Sequence, residues 1–177
     1  FFNLFTSNMG RQETNIQGNW KISDKWSSGL FLHGNQRTKE MDGNGDSFLD
    51  APLAKQVNIL NRWQYTNANK GWVGFGSFRL MRDEKTLGSL GFNPKEDRNN
   101  FALWGSQIDT NRIDTSLKIG YVFPELSYKS FGFQSAFSNH DQEAYYGFRI
   151  YNINQQSFYS SLLYNSIIGN TKNKFKI

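Results

Sequence analysis

The stretch RIDTSLKIGYVFPE, residues 112–125, alternates with a period of two. Ile113, Thr115, Leu117, Ile119 and Tyr121 fall on one side of an extended strand. Arg112, Asp114, Ser116, Lys118 and Gly120 fall on the other. Successive side chains of a strand point to opposite faces, so this pattern makes one apolar face and one charged face. In a soluble sandwich the apolar face turns inward. In a membrane barrel it turns outward to lipid. The rest of the chain has to choose between the two.

Period-two patterns fill the chain, and no long segment repeats at 3.6 residues. Candidate strands are 11–22, 26–37, 56–66, 72–82, 104–122, 130–146 and 153–168, with an eighth beginning near 174. In 57–65, Val57, Ile59, Trp63 and Tyr65 share a face that Asn61 interrupts, opposite Asn58, Arg62 and Gln64. In 72–80, Trp72, Phe78 and Leu80 share a face with Gly74 and Gly76, opposite Ser77 and Arg79. Phe131, Phe133 and Phe137 line another. The last full strand, with FYSSLLYNSII, carries apolar residues on both sides.

The connections alternate in length. Short ones are 23–25, 67–71, 124–129 and 169–173. Long ones are 38–55 and 83–103, with a shorter polar tip at 147–152. This order places the short turns at one end of the sheet, about 45 to 57 residues apart along the chain. It is the order of an up-and-down meander, and outer-membrane barrels combine short periplasmic turns with long extracellular loops. The expected fold is therefore all-β, an antiparallel up-and-down transmembrane β-barrel segment of seven to eight strands.

Composition agrees with a wall rather than a packed globule. Only 37% of the 177 residues are hydrophobic, yet 16% are aromatic. Four of the five Trp residues sit beside short turns: Trp20 and Trp26 at the first, Trp63 and Trp72 at the second. Tyr121 stands at the third. Trp and Tyr favour the membrane–water interface, because one part of each side chain is apolar and another can hydrogen-bond. These five are expected to form an interfacial girdle; ordinary core aromatics are the alternative. A Lys or Arg facing lipid near the bilayer midplane costs about 2–4 kcal/mol. Arg62, Arg79, Arg112 and Lys118 are accordingly expected to face a wet lumen.

Other classes are disfavoured. There is no Cys, which removes disulfides and thiolate metal sites. No apolar run reaches the roughly 18–20 residues of a membrane helix. The net charge is +5, but Lys and Arg are interspersed with Asp and Glu, as in RDEK and PKEDR, so nucleic acid is not an expected partner. No serine–histidine–acid spacing stands out. GFGSF lies in a strand pattern and is not a phosphate loop. The expectation is a protein that is not an enzyme.

The sharpest local motif is DGNGDSFLD. Asp42, Asn44, Asp46 and Asp50 occupy positions 1, 3, 5 and 9 of a calcium-loop spacing, and alternating short acids on a glycine-rich turn can supply the oxygens that a hard cation needs. Ser47 replaces the turn glycine and Leu53 the final Glu. Calcium is one expectation for this loop, and a solvated acidic loop is the other. His140, with Asp141 and Glu143, is read as a surface histidine near a hairpin tip, because neighbouring strand residues diverge. His33 is read as a polar residue of the lumen or interface. Arg82, Lys85, Lys95 and Arg98 belong to the second long loop, mixed with Asp83, Glu84, Glu96 and Asp97.

The stretches FFNLFTSNMGRQETN, SDKWSSGLFLHGNQR, LNRWQYTNANKGWVGF and YNINQQSFYSSLLYNSIIGNTKNKFK together resemble the barrel of TonB-dependent outer-membrane receptors, those of Bacteroidetes-type bacteria above all. The resemblance covers nearly the whole chain and rests on no short catalytic motif. It implies a 22-stranded barrel, of which residues 1–177 would be a partial barrel domain from the middle, without signal sequence, plug domain or barrel C-terminus. It further implies energised uptake of a scarce, bulky nutrient: a ferric siderophore, haem, cobalamin or an oligosaccharide. The implied partners are outer-membrane lipid, the small-molecule or metal-chelate ligand, and the TonB complex acting through the plug. A passive porin-like barrel and a soluble all-β carbohydrate-binding module are the rival readings.

Overall fold

The computed structural model describes residues 1–99 and 102–177, and it is one antiparallel sheet. The strands are β1 (Phe2–Thr6), β2 (Arg11–Lys21), β3 (Trp26–Arg37), β4 (Leu53–Asn67), β5 (Trp72–Gly88), β6 (Gly105–Val122), β7 (Ser130–Tyr146), β8 (Arg149–Ile150), β9 (Ile153–Ile168) and β10 (Asn170–Lys176). The long strands follow chain order across the sheet, each beside its sequence neighbours, and the two-residue β8 pairs the end of β7. β1 and β10 are its open edges. Among the described residues no helix is long and apolar enough to cross a membrane.

Two strands exceed the sequence reading: β1 and β8. FNLFT offers no alternation to detect, and β8 is a brief return of the chain along β7. The second long loop is also shorter than expected, because β5 continues to Gly88 and takes in Arg82, Asp83, Glu84 and Lys85. A charged run looks like a loop by composition. Here the charges alternate faces and pair two residues apart. Arg82 meets Glu84 at 2.7 Å on one face, and Lys85 meets Asp83 at 2.6 Å on the other.

The register carries the faces across the sheet. Leu32, Ile59, Leu80 and Ile113 are successive partners on one rung. Tyr121, Phe131 and Tyr164 follow Trp72 on another. Between these rungs β5 runs from Trp72 to Leu80, about nine residues, and a tilted membrane strand needs about 9–11. The ambiguity of β9 is resolved by the same register, which sets Phe158, Leu162 and Tyr164 on the apolar face. The apolar residues are left uncovered: Phe158 is 71% exposed and Leu162 59%. The buried hydrophobic residues Phe92, Ala144 and Tyr145 all lie at the long-loop end.

The short turns close tightly. At the second, Asn67 accepts a hydrogen bond from the Lys70 amide and caps a single 3-10 turn, Ala68–Lys70. Gly71 then takes φ +71°, and a Cβ there would stand 1.8 Å from the Val122 carbonyl oxygen. Glycine is the residue that both the backbone angle and the close approach permit.

Candidate functional site: the polar face and the long loops

Arg62, Arg79, Arg112 and Lys118 all lie on the face opposite the apolar belt. Two of them join a network. Arg112 Nε donates to both carboxylate oxygens of Asp114 at 3.0 Å, and Ser138 Oγ donates to the same carboxylate at 2.7 Å. Arg79 reaches Asp114 at 3.9 Å and donates from Nε to Asn58 Oδ1 at 3.1 Å. Asp114 therefore holds the charge of two guanidinium groups across β5, β6 and β7. Arg62 and Lys118 are exposed and have no carboxylate partner among the described residues.

A second polar chain crosses β2, β3 and β4. His33 Nδ1 lies 2.7 Å from Asn15 Oδ1, its Nε2 lies 3.0 Å from Asn35 Nδ2, and Asn35 donates to Gln56 at 3.0 Å. His33 is thus held at both ring nitrogens by amide side chains. His140 sits in β7 on the rung of Arg112, half-buried rather than on a surface tip, while Asp141 and Glu143 point to the other face.

The girdle residues Trp20, Trp26, Trp63, Trp72 and Tyr121 all occupy the apolar face at its short-turn end. Trp26 packs on Tyr65 at 4.9 Å between ring centroids, and Trp72 packs on Tyr121 at 4.8 Å. Asn61, the polar interruption of this face, is fully employed. It donates to Ser28 Oγ and to the Gly29 carbonyl, and accepts from the Trp63 indole. An amide satisfied within the sheet sits on an apolar face at little cost.

The two long loops are stitched together. Phe48 and Ser89 form a β-bridge, the Leu49 amide donates to the Gly88 carbonyl, and the Leu90 amide donates to Ser47. The Gly91 amide donates to the Glu40 carboxylate. Arg98 lies 4.7 Å above the Tyr145 ring, a cation–π contact that holds the second loop on the sheet. Lys95 is in the same loop; Arg82 and Lys85 are on the strand beneath it.

In DGNGDSFLD the acids turn inward onto their own backbone. Asp42 accepts from the amides of Gly45, Asp46 and Ser47; Asp46 from that of Phe48; Asp50 from that of Gly43. Asn44 donates to Asp46. Ser47 takes φ +68°, the left-handed conformation that glycine supplies in a calcium loop. The loop has the turn of a calcium site, but its oxygens are engaged by amides. Among the described residues no three His, Asp or Glu side chains gather in a way that could hold a metal ion.

The sequence reading placed Ser77 and Ser116 on the polar face but drew no site from them or from Gly29, Phe31 and Phe75; the two hydroxyls lie 2.7 Å apart. The available signal was a Phe at a polar parity position. Comparison with protein-family models, with curated proteins and with solved structures returns no match.

Proposed function

We propose that residues 1–177 are part of the wall of an outer-membrane β-barrel, and that the barrel is a TonB-dependent receptor for a scarce, bulky nutrient. The observation that carries the barrel reading is the apolar belt. It crosses the sheet from strand to strand, is about one membrane strand deep, has Trp and Tyr along its short-turn edge and is backed by a hydrogen-bonded polar face. A soluble sheet with this much uncovered apolar surface would aggregate. Lipid is the partner such a face fits. The short turns then face the periplasm, and the stitched loops face outward to meet the ligand. The TonB step rests on the resemblance alone: a plug inside the barrel, pulled through TonB, releases the ligand inward. No covalent chemistry is assigned to the chain.

Fractionation of cells producing the full-length protein tests the membrane part. The protein is expected in the outer membrane, released by detergent and not by urea. Recovery as a monomer that melts cooperatively without detergent would overturn the barrel and favour a soluble all-β module. Growth on ferric siderophore, haem, cobalamin or oligosaccharide as the limiting nutrient tests the transport part. One of these is expected to fail in strains lacking either the receptor or TonB. Failure without the receptor but not without TonB would mean a passive pore.

A further inference from the structure

The polar face is not uniform. On its short-turn side, beyond the rung of Arg79 and Asp114, the described strand positions hold Lys21, Arg62, Lys118, Lys174 and Lys176 and no Asp or Glu. The acids of this end, Asp24 and Glu125, are in the turns. Asp24 takes up Lys21 at 2.7 Å. Arg62 and Lys118 have no such partner among the described residues.

Lys21, Arg62 and Lys118 border a recess of about 710 Å³, within the range of small-molecule sites. Two consecutive rungs make its floor. One runs Asn19, Gly29, Arg62, Ser77, Ser116. The next runs Lys21, Ser27, Gln64, Phe75, Lys118. The floor is low because four of these positions are Gly or Ser. At Gly29 a Cβ would meet Asn19 Oδ1 at 2.6 Å, so the glycine lets the amide of Asn19 lie across it. Phe75 is 41% exposed and Phe31 also lines the recess. Arg62 and Lys118 flank β5 from either side. Their strands are about 10 Å apart, so both long side chains reach the space above Ser77 and Phe75.

We propose that this recess binds a small organic anion, one phosphate or carboxylate on a flat or apolar body. Arg62 grips two oxygens of the anionic group in its planar fork, and Lys118 supplies a second point charge. One hydroxyl of the Ser77–Ser116 pair donates to the other, which leaves one O–H to donate from the floor. The ring of Phe75 supports the body. Unpaired cations, a hydroxyl donor and an open aromatic ring meet here without a carboxylate to neutralise them, which is the donor set of an anion site. The site goes beyond the transport reading and exists on this face whether the barrel is a pump, a pore or neither.

The test is calorimetric titration of the full-length protein, kept in whichever medium holds it folded, with phenyl phosphate, inorganic phosphate and phenol. Phenyl phosphate is expected to bind most tightly and phenol not at all. R62Q and K118Q are each expected to weaken phenyl phosphate about tenfold or more, and R62K to recover part of the loss. F75L is expected to weaken phenyl phosphate and leave inorganic phosphate unchanged. K70Q, in the neighbouring turn and outside the recess, is expected to change nothing. Unchanged binding in both R62Q and K118Q would overturn the site. So would an equal loss in K70Q, which would mean attraction by the basic end as a whole. Equal affinity for phenyl and inorganic phosphate would overturn the assigned ligand class. Because no transport is measured, failure here leaves the membrane and uptake tests untouched.

Discussion

The two halves of the long strands obey different rules. In the half next to the short turns, β4, β5, β6 and β7 show one apolar and one polar face, as in Ile113, Leu117 and Tyr121 against Arg112, Ser116 and Lys118. In the half next to the long loops both faces are polar. Above Leu80 the apolar side continues with Arg82 and Glu84, above Ile113 with Asn111 and Asp109, above Phe137 with Asn139 and Asp141. The backbone is the same ladder throughout. β5 alone has 17 residues, about 56 Å at the usual rise. Strand formation therefore does not depend on which solvent meets the face. What changes along the strand is only the side-chain set, and on the proposed barrel reading that change falls where the strand leaves lipid for water.

The sharpest way to break this comparison is to put the same charge on both sides of the boundary. Leu117→Arg is expected to impair membrane assembly by about 2–4 kcal/mol, while Ser116→Arg on the opposite face and Asn111→Arg beyond the boundary change it by about 1 kcal/mol or less. Assembly is read from the folded fraction in outer membranes or detergent micelles. Equal effects would contradict the assigned faces. Next in size is Gly71→Ala at the short-turn end. The left-handed angle and the Val122 carbonyl are expected to cost about 1–3 kcal/mol in denaturant unfolding, whereas Gly45→Ala in the open loop, with φ +75° but no atom near its Cβ, should cost less. Asp114→Asn releases Arg79 and Arg112. Because both guanidinium groups are more than a third exposed, screening limits the loss to about 1 kcal/mol. The smallest effect belongs to Asp42→Ala. It should speed hydrogen exchange at the amides of Gly45, Asp46 and Ser47 with no change in global stability, since those bonds tie only the loop to itself.

The lower half of the sheet was legible because apolar residues outnumber polar ones on one face there, although Phe31 and Phe75 stand on the other and Asn61 interrupts the apolar one. The strands 26–37, 130–146 and 153–168 end where the periodicity ends, and the five aromatics of the short-turn edge lie on the face that alternation assigns them. The upper half was less legible. Arg82 to Lys85 read as loop, since charge stands for solvent in sequence and a strand wet on both faces is charged on both. Pairing decided otherwise, through Lys85–Asp83 and Arg82–Glu84. β1 was missed because Phe2, Leu4 and Phe5 blur the period. On the polar face, sequence spacing identified Arg62, Arg79, Arg112 and Lys118. That Asp114 engages two of them and leaves two free depends on neighbours from three strands, and no local pattern carries it.

The strand order has a kinetic consequence. Every long strand lies beside the strand before it and the strand after it in the chain, so each pairing closes only one connecting loop. Loop-closure entropy is then charged in small instalments, and a sheet of this kind has no distant pairing to wait for. Growth by one hairpin at a time, with the newest strand always serving as the template for the next, is the route that this order makes fastest. A stalled intermediate would present the outer edge of its first strand and that of its newest one, and the next segment of the chain would be the one nearest to hand to cover the second.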